Sequence, residues 1–184
     1  MVCGRPQEFE SEEALDKAMD LFWSQSYEAT GLKELLSHMG IARQSLYNTF
    51  GDKRSLFLKA ITYYEKTIAR SSLDQLDAPG SPLENIRQVI RTWEDSDAPN
   101  NQRGCLLMNT IAELGSRDPE LADILRRHID YSVEAFQRTL ERAKVRGELS
   151  ANADSRSLAR ALVNNRNGLA LLRKVQTDPY AYPG

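Results

Sequence analysis

Apolar side chains recur along this chain mainly at the three- and four-residue spacing of an α-helix. Between Ser11 and Gln25, for example, Leu15, Ala18 and Phe22 fall on one helical face. The alternation typical of half-buried strands is absent, and Gly and Pro stand between the periodic segments rather than inside them. The pattern therefore predicts an all-α protein.

Eight helices are predicted from this periodicity and from the residues that start and stop helices. The first runs from Ser11, its expected N-cap, to Gln25. The others are Gly31–Met39, Ala42–Phe50, Lys53–Ser71, one that begins at Pro82, Cys105–Leu114, Asp118–Arg146 and Asp154–Lys174. Asp52 is the expected cap of the fourth helix. Ser81 and Glu84 form a predicted capping box at the start of the fifth.

A loop rich in Pro and Gly, 77–82, separates the two halves of the chain. The predicted organisation is an N-terminal domain over 1–52, a connecting helix and loop over 53–80, and a helical bundle over 81–184. In the eighth helix, the buried stripe is predicted at Leu158, Ala161, Leu162, Leu169 and Leu172.

Composition is that of an ordinary globular protein, with 41% hydrophobic and 27% charged residues among 184. No apolar run reaches the ~18 residues of a membrane span, and no secretory signal is visible. Cys3 and Cys105 are too few and too far apart for a disulfide framework or a metal site. We therefore expect a reduced, cytoplasmic protein without cofactor or metal. His38 and His128 are isolated, which argues against an enzyme.

The third predicted helix carries the chemistry that points to a function. At 100° per residue, an arc of about 140° contains Arg43, Gln44, Tyr47 and Asn48. The opposite side holds its apolar and remaining residues, Ala42, Leu46, Thr49 and Phe50. Guanidinium, amide and phenol groups are those that contact base edges and phosphates in a major groove.

A short helix and a tight turn at Gly40 precede this segment, which is the helix-turn-helix arrangement. Net charge is −2, yet Arg43, Lys53, Arg54 and Lys59 make the window 40–60 locally positive. Two other interpretations have to be weighed: the polar residues could be the solvated face of a small helix, or the bundle could bind a protein partner. The Gly turn and the positive window favour DNA binding.

Phosphate contacts are expected on both sides of the third helix. Thr30 stands at the start of the second helix and Lys53 at the start of the fourth, where free backbone N–H groups add to the attraction. Arg5, in an expected N-terminal arm, could reach the adjacent groove. Ser45 completes the predicted DNA-contacting set.

Several motifs in the first sixty residues resemble the N-terminal domain of TetR-family transcriptional regulators. They are Gly4-Arg-Pro6, Ala18-Met-Asp-Leu-Phe22, Gln25-Ser-Tyr-Glu-Ala-Thr30, Met39-Gly-Ile-Ala42 and Ser45-Leu-Tyr-Asn-Thr-Phe-Gly-Asp-Lys53. The resemblance implies a three-helix DNA-binding domain, a helical effector and dimerisation domain, and a homodimer on double-stranded operator DNA. It also implies phosphate contacts for Thr30, Tyr47 and Lys53, and base contacts from around Arg43, Gln44 and Asn48.

Most members of that family are repressors that a small molecule releases from the operator. Candidate walls of an effector pocket here are Trp93, Met108, Ile111, Tyr131 and Phe136. Ordinary core packing is the alternative for each of them.

Cys105 follows Gly104 at the start of a helix, where free N–H groups favour a thiolate. Gly-Cys-Leu at this place also resembles a subset of the family in which a cysteine senses electrophiles or oxidants. The alternative is a small buried core residue. Related chains usually carry a further C-terminal helix in the dimer bundle. Two interpretations stay open: the dimer uses the eighth helix and part of the seventh, or the chain is shortened.

Overall fold

A computed structural model describes residues 5–94, 103–115 and 117–172, with only the backbone described for residues 5–10 and 94. Every regular element in these ranges is helical. The chain divides into two compact units, Met1–Thr67 and Ile68–Gly184. The division falls inside the predicted connecting segment. Within the described ranges, none of the helices combines the length and apolar character that a membrane-spanning segment requires.

Eight α-helices make up most of the described chain. In order they are α1 Arg5–Gln25, α2 Leu32–Met39, α3 Arg43–Thr49, α4 Lys53–Tyr64, α5 Pro82–Glu94, α6 Leu106–Leu114, α7 Pro119–Val145 and α8 Ser155–Leu172. The predicted bounds of α2, α3, α6 and α7 agree to within one residue. The predicted N-cap Asp52 accepts a hydrogen bond from the Ser55 N–H at 2.7 Å.

The predicted start of α1 at Ser11 was wrong, because the helix already begins at Arg5. Pro6 is its second residue, a position where a missing N–H costs nothing and the fixed φ suits a helix. Pro6 was therefore a start signal that the assignment to Ser11 overlooked. Arg5 is the first helical residue rather than part of an arm that precedes the helix, and its side chain lies outside the described residues.

The predicted extension of α4 to Ser71 was also wrong. Regular α-helix ends at Tyr64 and continues as a π-helical turn, Glu65–Ala69, and a 3₁₀ segment, Ser71–Asp77. Four hydroxyl groups donate hydrogen bonds to carbonyls three or four residues earlier, from Thr62 to Leu58, Thr67 to Tyr63, Ser71 to Ile68 and Ser72 to Ala69. Such hydroxyls compete for the carbonyls of the helix and favour departures from its regular geometry.

Three of the five positions in the buried stripe predicted on α8 were wrong, whereas Leu169 is buried and Leu162 is partly buried. The side chains that α8 buries are those of Ser155, Ala159, Val163 and Leu169. Leu158 and Leu172 are 41% and 42% exposed, and Ala161 is also exposed. The small residues Ser155 and Ala159 let the α8 backbone approach α7 closely. A ranking of positions by hydrophobicity does not take this close packing into account. Two larger apolar residues, Leu158 and Leu172, remain exposed.

Aromatic packing holds the first unit together. The ring of Phe22 in α1, fully buried, meets the ring of Phe57 in α4 edge-on at 4.9 Å between centroids. Trp23 and Tyr64 make a second edge-on pair at 5.0 Å. These pairs fix α1 against α4 and form the base on which the two short helices rest.

The second unit has its own core, in which Trp93 of α5 packs edge-on against Phe136 of α7 at 5.6 Å. Aliphatic side chains surround this pair, among them Leu73, Leu76, Ile86, Val89, Leu140 and Val163. The two aromatic residues are thus part of the contacts that join α5, α7 and α8.

The start of α5 confirms half of the predicted capping box. Ser81 Oγ accepts a hydrogen bond from the Glu84 N–H at 3.1 Å. The Glu84 carboxylate pairs with Arg91 at 2.8 Å. A second carboxylate, that of Glu148, accepts from the Ser81 hydroxyl at 2.7 Å and from the Leu83 N–H at 3.1 Å. The hydroxyl and the N–H hold the pKa of Glu148 below its usual value.

Ser81→Ala should lower the free energy of unfolding by about 1 kcal/mol, since the first turn of α5 loses its side-chain acceptor. Chemical denaturation followed by circular dichroism measures the change. Ser37→Ala, an exposed serine inside α2, is the control and should stay within about 0.5 kcal/mol of the parent. Equal effects of the two substitutions would contradict the capping role.

Candidate nucleic-acid interface

Two buried side chains anchor α3. Leu46 is fully buried and Phe50 is 5% exposed. The turn before α3 depends on Gly40, whose φ of 72° is left-handed and whose N–H donates to the Leu36 carbonyl. A side chain would strain the backbone at that φ. The turn places α3 directly after α2 with Ala42 as its N-cap.

Every other residue of α3 is exposed. The exposed set is Arg43, Gln44, Ser45, Tyr47, Asn48 and Thr49. The phenol of Tyr47 stands out, since this large side chain is 45% exposed. Ala42 and Thr49 are exposed as well, although the helical wheel assigned them to the packed side. The polar surface of α3 is thus wider than predicted.

A hydrogen bond joins the side-chain amides of Gln44 and Asn48 on this surface. Gln44 Nε2 donates to Asn48 Oδ1 at 2.9 Å, one helical turn apart. Arg43, Ser45 and Tyr47 flank the pair on the same exposed surface. The predicted residues of α3 are therefore brought together as one polar face.

The basic residues around α3 have different roles. Lys53 Nζ lies 4.4 Å from the centroid of the Tyr27 ring, which orients the ammonium group. Lys59 Nζ donates to the Thr49 carbonyl at 3.0 Å and so stabilises the end of α3. Lys33, on the first turn of α2, is exposed and was not among the predicted contacts. Its position next to the helix start was the signal available in the sequence.

Thr30 does not have the environment expected of a phosphate contact through its hydroxyl. Its side chain is fully buried, and its Oγ1 donates to the Ser26 carbonyl. Ser26 has a φ of 77°, so the chain turns sharply just before α2. Thr30 thus stabilises that turn, and the polar groups that α2 itself offers outward are the N–H groups of its first turn.

Asp52 is the acidic residue next to Lys53. The backbone N–H of Ser55 donates to its carboxylate, which holds the pKa of Asp52 below its usual value. The charge is therefore present at neutral pH and caps α4 at the point where Lys53 begins the helix. Its negative charge reduces the local positive potential but fixes the backbone that carries Lys53.

The candidate sensor residues lie in the second unit. Trp93, Cys105, Met108 and Phe136 are buried, with 9%, 4%, 4% and 0% of their surfaces exposed. Ile111 and Tyr131 are partly buried. The Arg70 guanidinium lies 4.7 Å from the Tyr131 ring centroid, so this ring has a cationic neighbour.

A groove of about 530 Å³ opens elsewhere in the second unit. It lies between the loop before α5 and the C-terminal turns of α7, and it is lined by 77–80, Pro82, Glu141, Arg142, Val145 and Arg146. None of the six candidate sensor residues lines this groove. The groove therefore has a different lining from the predicted effector pocket, which stays a prediction.

A short helix that buries Leu46, is followed by the buried Phe50 and exposes six polar residues lies on a glycine turn behind another short helix. This arrangement is that of a helix-turn-helix DNA-binding protein. Comparison with protein families agrees. The family described as "Bacterial regulatory proteins, tetR family" matches residues 14–60. The family described as "Tetracyclin repressor-like, C-terminal domain" matches residues 82–183. The chain belongs to the TetR family of DNA-binding transcriptional regulators.

Individual relatives extend over most of the chain. The uncharacterized HTH-type transcriptional regulator YezE of Bacillus subtilis is 39% identical over 177 residues, 95% of this chain and 91% of YezE. The HTH-type transcriptional repressor ComR of Escherichia coli is 28% identical, over 94% of this chain and 87% of ComR.

Solved structures show the same fold. A cysteine-substituted variant of the TetR-family regulator CifR, in complex with a 26-base-pair operator DNA, superposes with a TM-score of 0.73. It is 32% identical, over 94% of this chain and 92% of that one. A TetR regulator from Chloroflexus aurantiacus superposes with a TM-score of 0.84 at 22% identity, over 96% of this chain and 89% of that one.

Proposed function

We propose that the protein is a repressor that binds operator DNA through α3 and is released by an effector acting on the second unit. The observation that supports this most is the exposed polar face of α3, with only Leu46 and Phe50 buried. The CifR variant bound to its operator supports the same mode of binding for a similar chain. The repressor ComR supports the direction of regulation.

The proposed contacts follow from position and chemistry. Tyr47 and Lys53 bind phosphates, Ser45 lies beside the base readers, and Arg43, Gln44 and Asn48 approach base edges. At α2, the contact comes from the backbone N–H groups of the first turn and from Lys33, rather than from the hydroxyl of Thr30. A contact from Arg5 remains part of the proposal on sequence grounds alone.

The outer face of α8 supports a homodimer. Leu158, Ala161 and Leu172 are exposed and recur at helical spacing on one side of α8, with Asn165 and Gly168 between them. An apolar stripe of this kind is typical of a helix that packs against a partner. A second copy that buries it would bring two DNA-binding units into one particle, as a two-fold operator requires.

Tyr47→Ala and Lys53→Ala should each weaken binding to all DNA sequences, because phosphate contacts carry no sequence information. The measurement is a gel shift with the DNA upstream of the protein's own gene, over a range of salt concentrations. Lys53→Ala should also reduce the slope of log affinity against log salt by about one.

The matched control is Arg127→Ala, which removes an exposed cation from α7 in the other unit. It should leave both affinity and salt slope unchanged. Failure of the parent chain to bind any DNA at low salt would overturn the proposed function.

Leu158→Glu should convert the dimer into a monomer, because it places a charge in the apolar stripe of α8. Analytical ultracentrifugation measures the mass. Arg160→Glu introduces the same carboxylate on a different exposed side of α8 and should leave the dimer intact. A parent chain that sediments as a monomer at micromolar concentration, or a Leu158→Glu dimer, would contradict this interface.

The effector is proposed to be a small molecule, with a thiol-reactive compound as one specific form. Cys105 is the N-cap of α6, and its carbonyl accepts from the Asn109 N–H at 2.9 Å. The burial of its side chain, 4% exposed, supports the alternative of simple packing. Chemical modification of the thiol distinguishes a sensor residue from a core residue.

Alkylation with N-ethylmaleimide should lower operator affinity at least tenfold in a Cys3→Ser chain, because the adduct does not fit the packed start of α6. The same treatment of a Cys3→Ser, Cys105→Ser chain should have no effect on affinity. Mass spectrometry confirms that the adduct has formed. Full alkylation of Cys105 with unchanged affinity would end the sensor hypothesis and leave DNA binding untouched.

A further inference from the structure

The direction in which α3 is anchored decides which of its residues point furthest from the protein. At 100° per residue, Leu46 and Phe50 lie about 40° apart and define the inward direction. Asn48 lies about 180° from their midpoint, and Gln44 about 40° from Asn48. Tyr47 and Thr49 lie about 100° to either side of Asn48, and Arg43 about 140° from it. The two amides therefore occupy the outermost arc of α3.

A helix that enters a major groove presents its outermost arc to the base edges and its flanks to the phosphate strands on either side. The arc with Gln44 and Asn48 thus faces the floor of the groove. Tyr47 and Thr49 face its two walls, and Arg43 is turned further back towards the protein. Base readout is accordingly assigned to the amide pair more than to Arg43.

The hydrogen bond between the amides fixes what they offer to DNA. Gln44 Nε2 gives one of its two protons to Asn48 Oδ1, at 2.9 Å. Gln44 keeps an acceptor, Oε1, and one N–H donor side by side. Asn48 has an oxygen already engaged and keeps the two donors of Nδ2.

These two patterns match different base edges. The acceptor and donor of Gln44 complement the N6 donor and N7 acceptor of adenine. The donors of Asn48 complement an acceptor, such as guanine O6 or N7 or thymine O4. The two side-chain amides meet at 2.9 Å, close to the spacing of about 3.4 Å between stacked base pairs. The pair can therefore read neighbouring base pairs.

We propose that Gln44 and Asn48 read the operator as one hydrogen-bonded unit, in which Asn48 orients Gln44 for adenine and itself contacts a neighbouring acceptor-bearing base. The proposal rests on the proposed function, since it specifies how the same helix selects its DNA. Asn48 is thus a specificity-determining residue at two base positions, one of which it does not touch. Its effect on the position it does not touch, the adenine read by Gln44, comes from holding the amide of Gln44 in one orientation.

The test is selection by the full chain from a double-stranded DNA library with a randomised core, followed by sequencing of the bound fraction. The parent chain should enrich a motif, and Gln44→Ala should identify the adenine that Gln44 reads by abolishing its preference. Asn48→Ala should reduce the preference for that same adenine roughly tenfold, because Gln44 is no longer held. Asn48→Ala should also weaken the base preference at a neighbouring position.

Asn48→Asp separates orientation from contact. The aspartate keeps an oxygen for Gln44 Nε2 but has no donors, so the adenine preference should persist while the neighbouring preference is lost. Relative enrichment within each library cancels the weaker overall affinity that the added charge causes. Arg127→Ala, an exposed substitution on α7 in the second unit, should leave both preferences as in the parent.

An adenine preference that stays at the parental level in Asn48→Ala would overturn the coupling of the two amides. A preference lost equally in Asn48→Asp and Asn48→Ala would overturn it as well, because the remaining oxygen should hold Gln44. A parent chain that enriches no sequence would instead overturn sequence-specific binding itself. Failure of this inference and failure of the proposed function are therefore distinguishable.

Discussion

The burial of two side chains, Leu46 and Phe50, is the interaction on which the recognition surface depends. A helix of seven residues is too short to be stable alone in water, so α3 forms only because this pair packs against the helices beneath it. The anchor is narrow, and the rest of the circumference is therefore available for DNA. A wider apolar stripe would stabilise α3 more but would leave fewer positions for readout.

A feature could be predicted from the sequence when the residues that make it lie close together in the chain. The turn at Gly40 and the cap at Asp52 depend on neighbours within a few residues, and both were predictable from composition and spacing. The carboxylate that completes the start of α5 comes from Glu148, 67 residues beyond Ser81, and no local pattern indicates it. The burial of Thr30 escaped prediction for a similar reason, since a threonine before a helix looks the same in sequence whether it is exposed or turned inward.

The error on α8 has a different cause, and it bears on function. Ranking positions by hydrophobicity placed Leu158 and Leu172 in the core, but the close approach of α8 to α7 selects Ala159 and Val163 instead. The leucines then form an outer apolar face. The exposed leucines are informative about assembly, because an apolar face is unfavourable in water unless a second surface covers it.

In the first unit, the cations near α3 also stabilise the fold. Lys59 stabilises the last carbonyl of α3, and Lys53 is held over the Tyr27 ring, so part of the positive charge near the interface also maintains the fold. The phosphate contact proposed for Lys53 would start from an oriented ammonium group, which lowers the entropy lost on binding. Phosphate contacts from such cations carry no sequence information, so sequence preference has to come from groups that reach base edges. The amides of Gln44 and Asn48, on the outermost arc of α3, are the groups in position to supply it.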